Sequence, residues 1–165
     1  MKKVIAIILT LVLGAMGEVW AFSGVTVKVY KGNSSYSGDV ICNIKDGVVY
    51  RKSSSYSGDI LCRISKDGKL YKGNSSYSGD ILLNVRDGKV YRGNSSYSGD
   101  IVANIRDGKL YEKNSSYSGD IIINIRNNRV YNENSSYSGD ILYRFDGPLT
   151  FPEFIAVWYV VNYIY

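Results

Sequence analysis

The hexapeptide Ser-Ser-Tyr-Ser-Gly-Asp occurs six times in this chain of 165 residues. Successive copies lie 20 residues apart, except for one interval of 21. A short unit repeated at a fixed spacing cannot bury its apolar residues alone, so its copies must pack against one another in a repeat architecture. The structure of a single unit therefore constrains the fold of almost the whole chain.

Each unit predicts two short strands. Ile81, Leu83 and Val85 alternate with more polar residues, as in a strand buried on one face. Asp87-Gly88 follows, and an Asp-Gly pair between two apolar runs predicts a two-residue type I′ turn. Twelve antiparallel strands, or six hairpins that each span one hexapeptide, are thus expected between residues 25 and 145. The unit with one extra residue, at 64–68, predicts a β-bulge beside its turn.

Pairing across a two-residue turn predicts which side chains face the interior. The inward residues of one unit are expected to be Ile81, Leu83, Val85 and Val90, and the outward ones Asn84, Arg86, Lys89 and Tyr91. The inward position three residues after each hexapeptide aspartate, here called the inner column, varies as Cys42, Cys62, Leu83, Ala103, Ile123 and Tyr143. Such variation in volume is expected where a symmetric wall packs an asymmetric element.

Both ends of the chain depart from the repeat. Residues 1–21 have the basic, apolar and small-residue regions of a secretory signal peptide, with cleavage expected after Ala21. Residues 22–165 then form a single exported β-repeat domain, located in the periplasm, in the cell envelope or outside the cell. Residues 150–165 predict an apolar helix with a capping box of Thr150 and Glu153 and with Pro152 in the first turn.

The helix is expected to lie inside the repeat domain, although a final strand and a membrane contact are the alternatives. Twelve strands ~4.8 Å apart and tilted by ~40° close into a barrel of roughly 12 Å radius, which is wide enough for one central helix. The fold class is therefore mainly β: six hairpins in a symmetrical closed barrel with an apolar C-terminal helix, expected to be central.

The tandem units of the type Val-Tyr-Lys-Gly-Asn-Ser-Ser-Tyr-Ser-Gly-Asp-Ile, together with the leader and the hairpin count, resemble the bacterial β-flower proteins. In that family, hairpins form a shallow symmetrical barrel. The barrel is similar in turn to the tubby C-terminal domain and to the phospholipid scramblases, which enclose a C-terminal apolar helix. The resemblance implies a closed barrel and, by analogy, a role at a lipid or membrane surface.

Two sets of side chains are candidates for binding. The inward position at the hexapeptide end of each second strand forms a rim of the residues Lys31, Arg51, Lys72, Arg92, Glu112 and Asn132, of which the first four are cations able to bind a phosphate or another anion. An outer belt of Tyr30, Tyr50, Tyr71, Tyr91, Tyr111 and Tyr131 could stack on sugars or lie at a membrane interface. Long-stemmed rim residues and cross-strand tyrosines also have purely structural explanations.

Catalysis has little support, because the chain has no histidine and no acid pair, nucleophile elbow or phosphate loop. We therefore expect a non-enzymatic protein without cofactor, metal or nucleic-acid partner, which acts as a monomer on a membrane lipid or an anionic ligand. A carbohydrate-binding or adhesive module is the alternative, and a self-assembling curli-like repeat is a third.

The two cysteines distinguish between folds. Cys42 and Cys62 occupy the same position in successive units. In a β-solenoid, equivalent residues of adjacent coils lie ~4.8 Å apart, within reach of a disulfide. In the hairpin barrel another strand separates them, so the barrel predicts free thiols.

Overall fold

The computed structural model describes residues 19–165, which form twelve strands and one α-helix. The strands are β1 (Val27–Lys31), β2 (Val40–Lys45), β3 (Val48–Arg51), β4 (Ile60–Ile64), β5 (Lys69–Lys72), β6 (Ile81–Arg86), β7 (Lys89–Arg92), β8 (Ile101–Arg106), β9 (Lys109–Glu112), β10 (Ile121–Arg126), β11 (Arg129–Asn132) and β12 (Ile141–Phe145). The helix is α1 (Phe151–Tyr163). Nearly all of the predicted signal peptide lies outside the described residues.

The strands form one closed antiparallel barrel. Each strand pairs with its neighbours in the sequence, and β1 pairs with β12 to complete the ring. Asp87 and Gly88 have φ of 50° and 70°, so both central residues of the turn adopt the positive φ that type I′ requires. The predicted fold class is confirmed, and closure leaves no unpaired edge among the twelve described strands.

Every pair of strands joined by a hexapeptide loop contains a β-bulge that the sequence did not predict. Between β5 and β6, Leu70 pairs with Leu83 but Tyr71 pairs with Ile81, so the register shifts by one residue. The side chain of Leu82 therefore packs against the core, whereas Ile81 lies beside an outward tyrosine. The prediction that Ile81 faces inward is wrong, because a one-residue shift turns a strand residue to the opposite face. Leu83, Val85 and Val90 are in the core as predicted.

The unit with one extra residue accommodates it in the turn. The backbone N–H of Gly68 donates to the carbonyl of Ser65 over 3.0 Å, and the φ of Gly68 is 83°. The strands on either side stay in register, with Ile64 opposite Leu70. The N–H of Ser65 also donates to the carbonyl of Lys69 over 2.9 Å, so Gly68 and Lys69 together lie opposite Ser65. A three-residue turn that ends in such a glycine is a type I turn with a G1 bulge, and the predicted bulge beside the turn is confirmed.

Helix α1 fills the barrel and lies off its axis. It approaches β2 and β4 most closely, and the Sγ of Cys62 lies 3.9 Å from the carbonyl oxygen of Ala156. The inner-column cysteines Cys42 and Cys62 lie on these two strands, and the larger Leu83 and Tyr143 lie on strands farther from the helix. Ala103 on β8 does not follow this trend, so the position of the helix accounts for only part of the variation in the inner column.

The first residues of the described chain lie over one opening of the barrel, the one at which the two-residue turns are found. The N–H of Trp20 donates to the carbonyl of Lys66 over 2.7 Å, and its ring lies 6.2 Å from that of Phe151. Ser23 donates through its N–H and its hydroxyl to the carboxylate of Glu153. Cleavage after Ala21 would therefore remove Trp20 from this end but leave the Ser23 contacts.

Three loops contain a strained first residue. Lys52, Lys113 and Glu133 have φ of about 50°, whereas the other three loops have glycine at the same position. We expect Lys113→Gly to raise the free energy of unfolding by about 0.5–1 kcal/mol, because a left-handed backbone costs a residue with a Cβ about 1–2 kcal/mol, part of which glycine's unfolded-state entropy offsets. Denaturant unfolding measures the gain, and Lys109→Gly in β9 should lower stability instead. Equal effects of the two changes would contradict this explanation.

Candidate functional site

The two openings of the barrel differ in what they display. All six hexapeptide loops lie at one opening, the loop end, and the two-residue turns lie at the other, the turn end. Strand β12 runs toward the turn end, and α1 then returns through the barrel, so the C-terminal residues of the helix emerge among the loops. Tyr163, Ile164 and Tyr165 are exposed there.

Each loop is held by the same hydrogen bonds. In the third loop, the hydroxyl of Ser75 donates to Asp80, and the N–H of Tyr77 donates to the oxygen of that hydroxyl over 3.1 Å. The N–H of Asp80 then donates to the carbonyl of Tyr77 over 3.0 Å, closing a short 3₁₀ turn. The other five loops repeat these contacts, between the pairs Ser34 and Asp39, Ser54 and Asp59, Ser95 and Asp100, Ser115 and Asp120, and Ser135 and Asp140. The aspartate of each loop therefore accepts a hydrogen bond from a serine hydroxyl of the same loop.

Buried asparagines tie the loops to the wall, a role that sequence reasoning missed. Asn84 points outward as predicted, opposite Tyr91, but it is buried, because its Nδ2 donates to the carbonyl of Ser95 over 2.9 Å. Asn104 donates to the carbonyls of Lys113 and Ser115 in the same way. At the seam between the chain ends, Arg144 donates to Ser34. The signal was the recurrence of Asn at one strand position in four units.

The four rim cations lie where the strand pairing predicts. Lys31, Arg51, Lys72 and Arg92 end β1, β3, β5 and β7, all are exposed, and together they span about half of the loop-end opening. Glu112 and Asn132 occupy the other half. Burial raises the pKa of the Tyr165 hydroxyl, and the charge of Arg51 opposes this rise. The basic arc therefore borders the exposed end of the helix.

The outer-belt tyrosines point outward as predicted, but they do not form an exposed surface. Tyr30, Tyr91 and Tyr111 are each buried, with at most 8% of their area exposed, and Tyr50, Tyr71 and Tyr131 are half-buried. The bulge places an isoleucine or valine beside each belt ring, as with Ile81 beside Tyr71. The loop tyrosines Tyr36, Tyr56, Tyr77, Tyr97, Tyr117 and Tyr137 are instead 77–79% exposed.

The two cysteines of the barrel interior are not activated as nucleophiles. Cys42 and Cys62 are free and buried, and burial raises the pKa of Cys42 to about 12 and raises that of Cys62 as well. Both thiols therefore stay protonated at neutral pH, where the thiolate is the nucleophile. Within residues 19–165 no group of His, Cys, Asp and Glu is placed to hold a metal ion. No helix of this part of the chain has the length and apolar character to cross a membrane.

Six hairpins form a closed ring around a buried helix, and the six hexapeptide loops lie at one opening. These features define the protein as a hairpin-repeat barrel, in which the rim residues at the loop end differ from unit to unit. The family model described as 6-fold beta flower protein matches residues 28–158. The chain therefore belongs to the beta flower family, which confirms the resemblance noted in its sequence. No curated protein and no solved structure matches the chain.

Proposed function

We propose that the protein is a non-enzymatic binding protein that holds an anionic group, such as the phosphate of a lipid headgroup, at the loop-end opening. The basic arc of Lys31, Arg51, Lys72 and Arg92 carries this proposal. These cations come from four successive hairpins and converge on one opening. Their exposed heads are free to form charge-assisted hydrogen bonds with phosphate oxygens.

The immediate surroundings of the arc leave a positive balance. Glu112 is the one acidic side chain of the rim itself. The C-terminal end of α1 also emerges there and contributes roughly half a negative charge. Four cations exceed these two opposing contributions, although they also stabilise the end of the helix. The net positive charge that remains matches an anion with one or two negative charges.

The exported location and the monomeric state are parts of the same proposal. Export rests on the sequence of residues 1–21 alone. A monomer is consistent with closure of the barrel, because no described strand offers an unpaired edge to a second chain. The same closure argues against a curli-like assembly, which needs such edges.

Replacing Arg51 and Arg92 with alanine tests the basic arc. At about 1 kcal/mol for each cation near an anionic surface, we expect binding to phosphatidylcholine vesicles that contain phosphatidic acid to weaken about thirtyfold. Binding of the unchanged protein should also fall as salt rises. Titration with inorganic phosphate in a calorimeter distinguishes a free anion from a lipid headgroup.

Arg86→Ala combined with Arg106→Ala is the matched control. These two arginines are exposed at the turn end, so the control removes the same charge from the opposite opening. It should bind vesicles and phosphate like the unchanged protein. Equal losses of binding in both double variants would mean that only the net charge of the protein matters. If the unchanged protein binds neither the vesicles nor phosphate, the proposal is wrong.

Carbohydrate binding is a second candidate, and the exposure of the loop tyrosines favours it. The outer belt cannot supply broad stacking surfaces while its rings are covered. The loop tyrosines supply six such surfaces at one opening.

A further inference from the structure

The loop tyrosines have no packing role that accounts for an aromatic ring. Tyr97 is 79% exposed, whereas Tyr91, six residues earlier, is 7% exposed and packs into the wall. The loop is held in shape by Ser95, Asp100 and backbone groups, and the Tyr97 backbone takes part without its side chain. The exposure of a large aromatic ring to solvent in all six loops therefore needs another explanation.

The glycine of each hexapeptide also lacks a structural explanation. Gly99 has no positive φ, and a Cβ at this position would meet nothing within 4 Å. The same holds for Gly38, Gly58, Gly79, Gly119 and Gly139. Neither backbone conformation nor crowding within the chain requires glycine here. The absence of a side chain two residues after each tyrosine leaves this part of the loop surface open to a ligand.

The six loops share one sequence, whereas the inner column differs from unit to unit. The inner column holds five residue types in six units, but Ser-Tyr-Ser-Gly-Asp is identical in all six. The first serine of the hexapeptide and the aspartate are explained by the hydrogen bonds of the loop. The side chains of the tyrosine and of the two serines beside it make none, and the glycine has no conformational reason, so a common external contact is the remaining constraint on them.

We propose that each Tyr-Ser-Gly segment is a subsite for one sugar ring, and that the six subsites together bind a neutral polysaccharide at the loop end. This inference rests on the second function proposed above and uses none of the rim cations. The C–H face of a pyranose is apolar and stacks on an aromatic ring, while its hydroxyls need polar partners. Exposed serines flank each tyrosine, for example Ser76 and Ser78 beside Tyr77.

The geometry suits an extended and repeated ligand. The hydrogen bonds of each loop fix the backbone beneath the ring, so little conformational entropy is lost when a sugar binds. Neighbouring loops are two strands apart, which places successive tyrosines roughly 12 Å from each other around the barrel. Weak subsites at this spacing gain affinity when one chain occupies several of them.

The loop end carries both signs of charge in equal number. Outside the central arc, each loop carries an aspartate that is at least partly exposed. The carboxylates at this end are Asp39, Asp59, Asp80, Asp100, Asp120, Asp140, Glu112 and Glu133. They are matched by Lys31, Arg51, Lys52, Lys72, Arg92 and Lys113, and by Arg129 and Arg144, whose guanidinium groups donate to Asn33 and Ser34. Away from the arc, such a surface suits a neutral polymer, whose hydroxyls can donate to the outer carboxylates.

The test is retention of the full chain on insoluble cellulose, chitin, β-1,3-glucan and starch at high salt. We expect binding to at least one of them. High salt should not weaken this binding, because stacking on a neutral ligand does not depend on charge. Tyr→Ser in alternate loops, at Tyr36, Tyr77 and Tyr117, should weaken that binding at least about tenfold. Tyr→Phe at the same three positions should keep it within about threefold, because the ring remains.

Two further variants separate the site from its alternatives. Gly→Ala at Gly38, Gly79 and Gly119 should leave the melting temperature unchanged, because the added methyl groups meet no atom of the chain, but should lower retention, because they project into the open loop surface that the ligand would cover. The Arg51 and Arg92 double variant should be retained like the unchanged protein, so failure of the rim proposal leaves this one standing. Retention on none of the four polymers, retention indifferent to the Tyr→Ser changes, or tyrosine-dependent binding to phosphatidylcholine vesicles instead would overturn the proposal.

Discussion

A chain that ends before residue 150 is expected to be insoluble or collapsed. Deletion of residues 150–165 removes α1, and most of the helix is buried in contact with the barrel wall, including Phe154, Ile155, Val157 and Trp158. Each large buried apolar side chain contributes about 1.5–3 kcal/mol, so the loss amounts to about 10 kcal/mol, comparable to the whole stability of a domain. Soluble yield, far-UV circular dichroism and dye binding to exposed apolar surface measure the outcome.

A shorter truncation is the control for this deletion. Ile164 and Tyr165 follow the helix and are 41% and 57% exposed. Their removal alone should leave solubility and the melting temperature nearly unchanged. A soluble chain without residues 150–165 that melts like the unchanged protein would mean that the barrel does not depend on its helix.

The parts of the fold that the sequence predicts correctly depend on local chemistry. A type I′ turn needs positive φ at two adjacent residues, and four hairpins supply it at Asp46-Gly47, Asp87-Gly88, Asp107-Gly108 and Asn127-Asn128. The capping box of Thr150 and Glu153 is present for the same reason, since both partners lie within one helical turn. Twelve strands and a buried apolar helix follow from periodicity and turn spacing.

The parts that the sequence does not predict depend on partners from other units. Nothing within a six-residue loop fixes the register of the strands it joins, so the bulge that turns Ile81 outward was not foreseen. Asn84 donates to a backbone carbonyl eleven residues away. Every residue has such a carbonyl, so the amino-acid sequence does not show which one is the acceptor. The covered outer belt and the exposed loop tyrosines both follow from these two features.

Glu153 joins the two ends of the described chain, and we expect Glu153→Ala to cost about 3–4 kcal/mol of unfolding free energy. Its carboxylate is fully buried and accepts bonds from the N–H and hydroxyl of Thr150, at 3.0 and 2.9 Å, and from the N–H and hydroxyl of Ser23, at 3.2 Å each. Alanine leaves these donors without an acceptor, and buried or partly buried donors without partners cost more than the hydrogen bonds themselves contribute. Denaturant unfolding measures the loss.

The exposed Glu133→Ala is the control, and it should change stability by less than about 0.5 kcal/mol. Ser23→Ala tests whether Glu153 works by holding the N-terminal segment on the helix. In the Glu153→Ala background the serine hydroxyl has lost its acceptor, so the two changes together should cost less than the sum of their separate costs. Additive costs would show that Glu153 acts only within its own helix turn. A smaller combined cost would mean that the segment around Ser23 and the helix that fills the barrel stabilise each other through Glu153 at the turn end.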